Sequence, residues 1–405
     1  MIKITIFGSY NRGSIGDTAI LLGLLSSLQR IYGKNIEVNI LVFKELGLRN
    51  ELERFNIDIS VNEVVIDKLN NYTGVFSSVL NFYKRIKRKL FNESILDLPK
   101  SAKTINNADI LILGGGNLIM DLYPRWPFMF RQICDLAIKS NTKYYILGVG
   151  AGPIDTNHGL TVFEKYLKKA EMVLFRDLES KEYCERKINF KNASLIPDLA
   201  LGLNIEPSHD VSNKSILINV ASVYGELWPV KNAAMFDKYI KGMVKLTFLI
   251  HDYYDFNELI IFNSNSPTDQ QGMDSFSSLL QKNKFKNKIK VITGEKSVFE
   301  LVKLGETATY AITTRLHAGI MVYKGGSKII GVGYQPKVKD ILEGSGISEA
   351  VIDLNDLLIW DSKKINQKLK DAFRQNTSQK PQNFTKKIDE IIYNVLSSSQ
   401  NFRIK

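Results

Sequence analysis

The feature that most constrains this chain is a short apolar run that ends in a glycine-rich loop and gives way to a helical pattern. It occurs again and again. Ile2–Phe7 runs into the loop Gly8–Asp17 (GSYNRGSIGD), and a helical pattern then covers Asp17–Arg30. Asp109–Leu113 runs into Gly114-Gly115-Gly116, and Lys143–Leu147 into Gly148–Pro153 (GVGAGP). Ile36–Val42, Met172–Phe175 and Ser194–Ile196 are further apolar runs of strand length. Strands that end in glycine turns and alternate with helices imply βαβ units and a parallel sheet.

A polar stretch, Asn204–Lys214, interrupts the alternation, which then restarts. Strands are expected at Ser215–Val220, Glu258–Phe262, Lys288–Ile292, Tyr310–Thr313 and Lys328–Val332. The fold class expected is therefore α/β, with two doubly wound Rossmann-like domains facing a cleft, a GT-B-like architecture. The boundaries read as 1–205 for the first domain and 213–352 for the second. Residues 353–405 read as C-terminal helices able to pack back on the first domain, with Thr377–Gln382 as a turn between two of them. A chain of 405 residues suits two cores. Ligands in such sheets sit at the carboxyl ends of the strands.

The net charge of +12 favours anionic partners, phosphorylated substrates or acidic lipid among them. No zinc-finger spacing or RNP-like strand is present, so no nucleic acid partner is expected. No apolar run is long enough to span a bilayer, and MIKITIFGSY lacks the apolar core of a signal peptide. A cytoplasmic protein with Cys134 and Cys184 as reduced thiols is the expectation. Ser78–Asn92 (SVLNFYKRIKRKLFN) spaces Val79, Phe82, Tyr83, Ile86 and Leu90 helically, and five of the six residues from Lys84 to Lys89 are basic. Such a helix can lie on an anionic membrane surface, which would make the protein peripheral on the inner face. It can equally be a packed helix with a solvated cationic side.

The sequence has no P-loop, no H-E-x-x-H, no paired C-x-x-C and no G-x-S-x-G, so it suggests no metal site. The most informative stretch is Tyr310–Gly326 (YAITTRLHAGIMVYKGG). A strand ends at Thr313, Thr314 is placed to cap a helix, and Arg315 and His317 fall in its first turn. A helix N-terminus is an anion site, Arg315 adds a bidentate fork, and His317 exchanges a proton near neutral pH. The alternative is that Arg315 pairs with an acid and His317 is a satisfied, partly buried histidine. Arg176, in Phe175–Ser180 (FRDLES), again follows a strand and opens a helix. Its bland reading is an ion pair with Asp177 or a glutamate. In the first loop Asn11, Gly13 and Asp17, and in Gly114–Asp121 (GGGNLIMD) Gly115, Gly116, Asn117 and Asp121, are candidates for substrate binding. Plain βα turns would look the same. The segment Pro124–Pro127, with Trp126, reads either as part of an acceptor groove or as packing.

Together these blocks resemble the polysaccharide pyruvyl transferase family. Asn11, Gly13, Gly16, Asp17 and Ala19 match N-x-G-x-x-G-D-x-A, and Gly114–Asp121 and Gly148–Pro153 match the next two blocks. Arg176–Ser180 and Pro197–Leu201 (PDLAL) follow. The most specific piece is Arg315-Leu316-His317 with Gly331, Tyr334 and Lys337 downstream. The resemblance implies phosphoenolpyruvate as donor, with no other cofactor, and a ketal-forming transfer onto two hydroxyls of one sugar. The saccharide acceptor is free or linked to a lipid diphosphate. Carried over, Arg176 and Arg315 hold the phosphate and carboxylate, and His317 is the acid/base. Asp17, Asn117 and Asp121 meet the acceptor, and Lys337 is an added cation. The rival readings are a GT-B glycosyltransferase using a nucleotide-sugar and a non-catalytic component of a polysaccharide assembly complex.

Overall fold

The computed structural model describes residues 1–10, 14–67, 96–205, 214–344, 346–374 and 381–397. Asn11, Gly13 and the basic segment 78–92 lie outside the described residues, as does much of the linker.

Among its described residues the first domain carries seven strands: β1 (Ile2–Phe7), β2 (Ile36–Val42), β3 (Ser60–Val65), β4 (Ile110–Gly114), β5 (Lys143–Val149), β6 (Met172–Phe175) and β7 (Ser194–Leu195). They pair in the order β3-β2-β1-β4-β5-β6-β7, and every pairing is parallel. Its helices are α1 (Ile15–Tyr32), α2 (Arg49–Arg54), α3 (Leu98–Asn106), α4 (Trp126–Lys139), α5 (Asn157–Leu167) and α6 (Leu178–Ile188). A 3-10 turn, Leu199–Gly202, closes the domain.

The second domain repeats the plan with β8 (Ser215–Asn219), β9 (Glu258–Phe262), β10 (Lys288–Ile292), β11 (Tyr310–Thr313), β12 (Lys328–Gly333) and β13 (Ser348–Asp353). Their order is β10-β9-β8-β11-β12-β13, again all parallel. The helices are α7 (Ala233–Tyr253), α8 (Gln270–Lys282), α9 (Val298–Gly305), α10 (Leu316–Lys324), α11 (Pro336–Gly344), α12 (Leu354–Ile359), α13 (Ser362–Arg374) and α14 (Pro381–Ser397). The expected GT-B-like fold is what the chain adopts. In each sheet the strand order reverses beside the first strand, between β1 and β4 and between β8 and β11. Those two switch points are where such sheets bind ligands.

The strands form where helices cover both faces, so they read as continuous apolar runs: β4 and β8 are buried at every residue. Two strands have no counterpart in the sequence reading, β3 and β13. Both are sheet edges, and each mixes polar and apolar residues (Asn62 and Glu63; Ser348 and Glu349) because one flank meets solvent.

α1 is buried without a break from Ala19 to Leu28. It lies against the 3-10 turn, α10 and α14 as well as its own sheet. The glycine that permits this is Gly23, where a Cβ would sit 1.9 Å from Leu199 O. One apolar cluster therefore runs from Ile4 and Leu24 of the first domain through Leu301 and Ile320 of the second to Phe384 and Leu396 of α14. The three C-terminal helices among the described residues part company. α12 and α13 stay with the second sheet and α7, and α14 alone returns to α1. Pro381 opens α14.

The domains are pinned together by directional contacts as well. Asp340 of α11 accepts a hydrogen bond from Glu179 N at the start of α6 (3.1 Å). Glu51 accepts one from Phe299 N (3.2 Å), and the rings of Phe55 and Phe299 meet edge to face.

Candidate active site

The two switch points face each other across a cleft of about 320 Å³, lined by Ser14–Asp17, Arg176, Arg315–Ala318, Tyr334 and Lys337 among others. Two helices aim their N-termini into it. On one side α1 begins at Ser14, whose Oγ accepts from Asp17 N. On the other α10 begins at Leu316. The free N–H groups and dipoles of both make this a place for anions.

Arg315 is the N-cap residue of α10, in extended backbone, and Leu316 and His317 form the first turn. Thr314 therefore does not cap the helix. Its hydroxyl instead bonds Tyr239 OH at 2.8 Å, deep in the core. The amide of Arg315 donates to Asn219 Oδ1 at the end of β8 (3.0 Å), which ties the two central strands together at the switch point. The guanidinium is held by two partners. Nε and Nη2 donate to Asp269 Oδ1 at 3.1 and 2.7 Å, and Cζ lies 4.9 Å from the centre of the Trp228 ring. Tyr334 packs edge to face on Trp228, and burial, more than the nearby Arg315 charge offsets, raises its phenol above the ordinary range.

Arg176 follows β6 and is buried, 8% exposed. Its Nη1 donates to Asp198 Oδ2 at 3.1 Å, and its Nε lies 3.7 Å from Asp177 Oδ2. That Nε–H has no hydrogen-bond partner among the described residues. Asp198 is wholly buried, and its second contact is His317, whose Nε2 lies 3.5 Å from the same Oδ2. Burial works against the charge on Asp198, but His317, Arg176 and the Ala200 amide outweigh it and hold the carboxyl well below the usual range. One carboxylate thus spans an arginine of the first domain and a histidine of the second.

The other edge of the imidazole meets α1. A Cβ on Gly16 would lie 2.5 Å from His317 Nδ1, so only glycine lets the ring rest there. Asp17, the next residue, is half-buried in the same wall. Burial raises its pKa, and Asp198 adds to the rise against Ser14, His317 and Arg176. Lys337 of α11 lines the opposite rim and pairs with no carboxylate among the described residues. Burial and then the Arg176 charge lower its pKa, with Asp177 and Glu179 opposing.

The structure brings Asp17, Arg176, Arg315, His317 and Lys337 into one cleft and treats the other candidates differently. Gly115 and Gly116 adopt left-handed φ of 78° and 66°, and a Cβ on Gly116 would lie 2.5 Å from Ser9 Oγ and 3.1 Å from Asp17 Oδ1. They let the β4 loop cross beneath α1. Asn117 donates to Gly152 O at 2.7 Å, and its Oδ1 is buried with no partner among the described residues. Asp121 lies outside the cleft lining. Its carboxylate accepts from the amides of Asp155 and Thr156 and from Thr156 Oγ1, so it fastens the loop that opens α5. Trp126 belongs to the packing: its ring stacks on Phe7, and Nε1 donates to Leu118 O at 2.6 Å.

This arrangement has known relatives. Residues 15–336 match the family model of polysaccharide pyruvyl transferase. The chain belongs to the polysaccharide pyruvyl transferase family. Among curated proteins it is similar to the amylovoran biosynthesis protein AmsJ of Erwinia amylovora, 21% identical over 88% of this chain and 89% of that protein. Family and relative together mark it as a transferase of polysaccharide biosynthesis.

Solved structures share the fold. The UDP-GlcNAc 2-epimerase of Methanocaldococcus jannaschii matches with a TM-score of 0.59 at 13% identity, over 98% of this chain and 100% of that one. The Neisseria meningitidis UDP-GlcNAc 2-epimerase, bound to UDP-GlcNAc, matches at 0.56 and 10%, over 98% and 100%. Anabaena HepE, in complex with UDP and glucose, matches at 0.54 and 11%, over 98% and 100%. At these identities the likeness is one of fold. The likeness covers 98% of this chain in each case, so it spans both domains.

Asp198, Asp269, Trp228 and Tyr239 support the site without having been singled out in the sequence. Asp198 had a signal, its place in the Pro197–Leu201 block. The others come from distant loops and helices with no local pattern.

Proposed function

We propose that the protein transfers the pyruvyl unit of phosphoenolpyruvate to a sugar of a cell-surface polysaccharide, forming a ketal and releasing phosphate. The observation that carries this reading is the convergence of two helix N-termini, Arg176, Arg315, Lys337 and His317 on one cleft. Phosphoenolpyruvate brings a phosphate and a carboxylate, and Arg176 and Arg315 stand on opposite domains to receive one each. Both arginines are already fixed by buried aspartates, so their positions are set before the ligand arrives. Part of their charge is cancelled, and the helix termini and Lys337 supply the rest of the field.

In the reaction the methylene carbon gains a proton and C2 becomes electrophilic. One sugar hydroxyl adds to C2, phosphate leaves with its bridging oxygen, and a second hydroxyl closes the ketal. His317 exchanges protons with the reacting groups. The acceptor is a saccharide, free or carried on a lipid diphosphate. A lipid-linked acceptor would put the enzyme on the inner face of the membrane, where the basic segment 78–92 can meet acidic lipid. No helix among the described residues is long and apolar enough to cross a membrane.

The test is thermal unfolding with and without phosphoenolpyruvate, for the wild type and for Arg315→Ala. A ligand at about 100 times its Kd adds about 2.7 kcal/mol to the native state. A rise in Tm that Arg315→Ala abolishes is the expected result. A rise with a nucleotide-sugar and none with phosphoenolpyruvate would replace this reading by a glycosyltransferase.

A further inference from the structure

Closing a ketal from an enol phosphate takes two protons off hydroxyls and puts one onto carbon and one onto phosphate. The cleft wall contains two groups fit to handle them, Asp17 in the first turn of α1 and His317 of α10, whose ring rests against that turn. His317 turns Nε2 to Asp198 and leaves Nδ1 over Gly16. Asp17 is the next residue along that turn and also lines the cleft.

Asp17 differs from the other carboxylates of the site. Asp198 pairs with Arg176 and His317, Asp177 lies 3.7 Å from Arg176 Nε, and Asp269 binds Arg315. Asp17 forms no ion pair among the described residues, although it stands in the same wall. The groups that act on it are Ser14 of its own helix cap, His317 of α10, Arg176 after β6, Asp198 before the 3-10 turn, and Tyr10 after β1. Arg176 and His317 are both engaged with Asp198, which leaves Asp17 to share the cleft with the charge of that carboxylate.

We propose that Asp17 and His317 divide the acid–base work: Asp17 delivers the proton to the methylene carbon of the donor, and neutral His317 takes the proton of the first hydroxyl. This rests on the donor reading above. The cycle closes without any other proton source. Asp17 gives its proton to C3, and the C3–H bond forms as C2 turns cationic. The first hydroxyl oxygen bonds to C2 and passes its proton to His317. The imidazolium then protonates the leaving phosphate as its C–O bond breaks, which regenerates neutral His317. The second hydroxyl bonds to C2 and returns its proton to the Asp17 carboxylate. Both groups end as they began, and the products are the ketal carboxylate and hydrogen phosphate. The raised pKa of Asp17, due first to burial and then to Asp198, suits a group that must hold a proton at the start.

The experiment uses the full-length enzyme, phosphoenolpyruvate, and polysaccharide and lipid-linked saccharide extracted from host cells lacking the gene. Phosphate release and donor-induced thermal shift are measured for the wild type, Asp17→Asn, Asp17→Glu and Asp17→Ala. Asp17→Asn should keep the donor shift and lose about 10²–10⁴-fold in turnover, the usual share of a positioned acid. Asp17→Glu should retain part of the activity, and formate should restore part of it to Asp17→Ala, because the missing function is a carboxylic acid. Turnover of Asp17→Asn within about tenfold of wild type, far short of that share, would overturn the division and return every proton to His317. Loss of the donor shift in Asp17→Asn would overturn it too, by making Asp17 a binding residue. A wild type that shows neither donor shift nor phosphate release would sink the donor reading itself, a result the variants cannot mimic.

Discussion

His317 and Gly16 touch across the gap between the domains, and that contact sets where the imidazole can be. An added methyl at Gly16 would fall 2.5 Å from Nδ1 and 2.9 Å from Cγ. Gly16 lies in the first turn of α1, where alanine suits a helix better by roughly 0.5–1 kcal/mol. We therefore expect Gly16→Ala to melt at or slightly above the wild-type temperature while transfer falls about 10²-fold, the cost of an ångström of misplacement. A variant that keeps both stability and activity would show that the ring need not rest on that turn. At this scale Arg176, Arg315 and His317 were legible because each follows a strand and opens a helix. Asp198 showed only as part of the Pro197–Leu201 block and Asp269 not at all, since what matters about them is burial beside a partner tens of residues away. Asp121 looked like a sugar ligand, yet its oxygens are spent on the Asp155–Thr156 loop.

Helix α10 begins at the site and ends in the core, with Lys324 wholly buried where the second domain meets the first. Its Nζ donates to Leu201 O and Thr385 Oγ1, each at 3.2 Å. Burial, then the Arg30 charge, bring the amine from its ordinary 10.5 down to about 7, with Asp389 opposing. The unfolded chain keeps that proton up to about pH 10.5, whereas the folded one releases it near 7. Between the two the unfolded state binds more protons, so Lys324 makes stability rise with pH across that window; below it both states are protonated and the full penalty applies. Lys324→Met should flatten that rise in urea unfolding measured from pH 7 to 10, and gain stability at neutral pH, because Thr385 also donates to Leu201 O. An unchanged slope would mean the amine reaches water. The elements themselves were mostly visible beforehand, since buried parallel strands are unbroken apolar runs. The edges β3 and β13 escaped notice because Asn62 and Glu63 in one, and Ser348 and Glu349 in the other, break up their apolar residues.

On the scale of the molecule, α14 is the piece that makes one body of two domains. Phe384, Ile388, Ile392, Val395 and Leu396 join the cluster built on α1, and Arg30 binds Asp389 through Nε at 2.7 Å and Gly202 O through Nη2 at 2.8 Å. Burying five such side chains is worth on the order of 10 kcal/mol, which rivals the whole stability of a domain. A chain ending at residue 380 should thus be insoluble or unfold without cooperativity. Cooperative melting within a few degrees of the full chain would refute this. The two-domain plan could be read from the restart of the alternation after Asn204. That α14 alone would return could not, because α13 and α14 are both amphipathic and neither pattern names the surface that waits for it.

That return has a consequence for synthesis. The groove on α1 is complete in sequence once the first domain has left the ribosome, yet its cover is translated roughly 180 residues later. At about 5–20 residues per second the groove stays open for roughly 10–40 seconds. For that interval Leu24, Leu28 and their neighbours face water or a chaperone, and the nascent chain is most exposed to its own kind just before its last helix arrives.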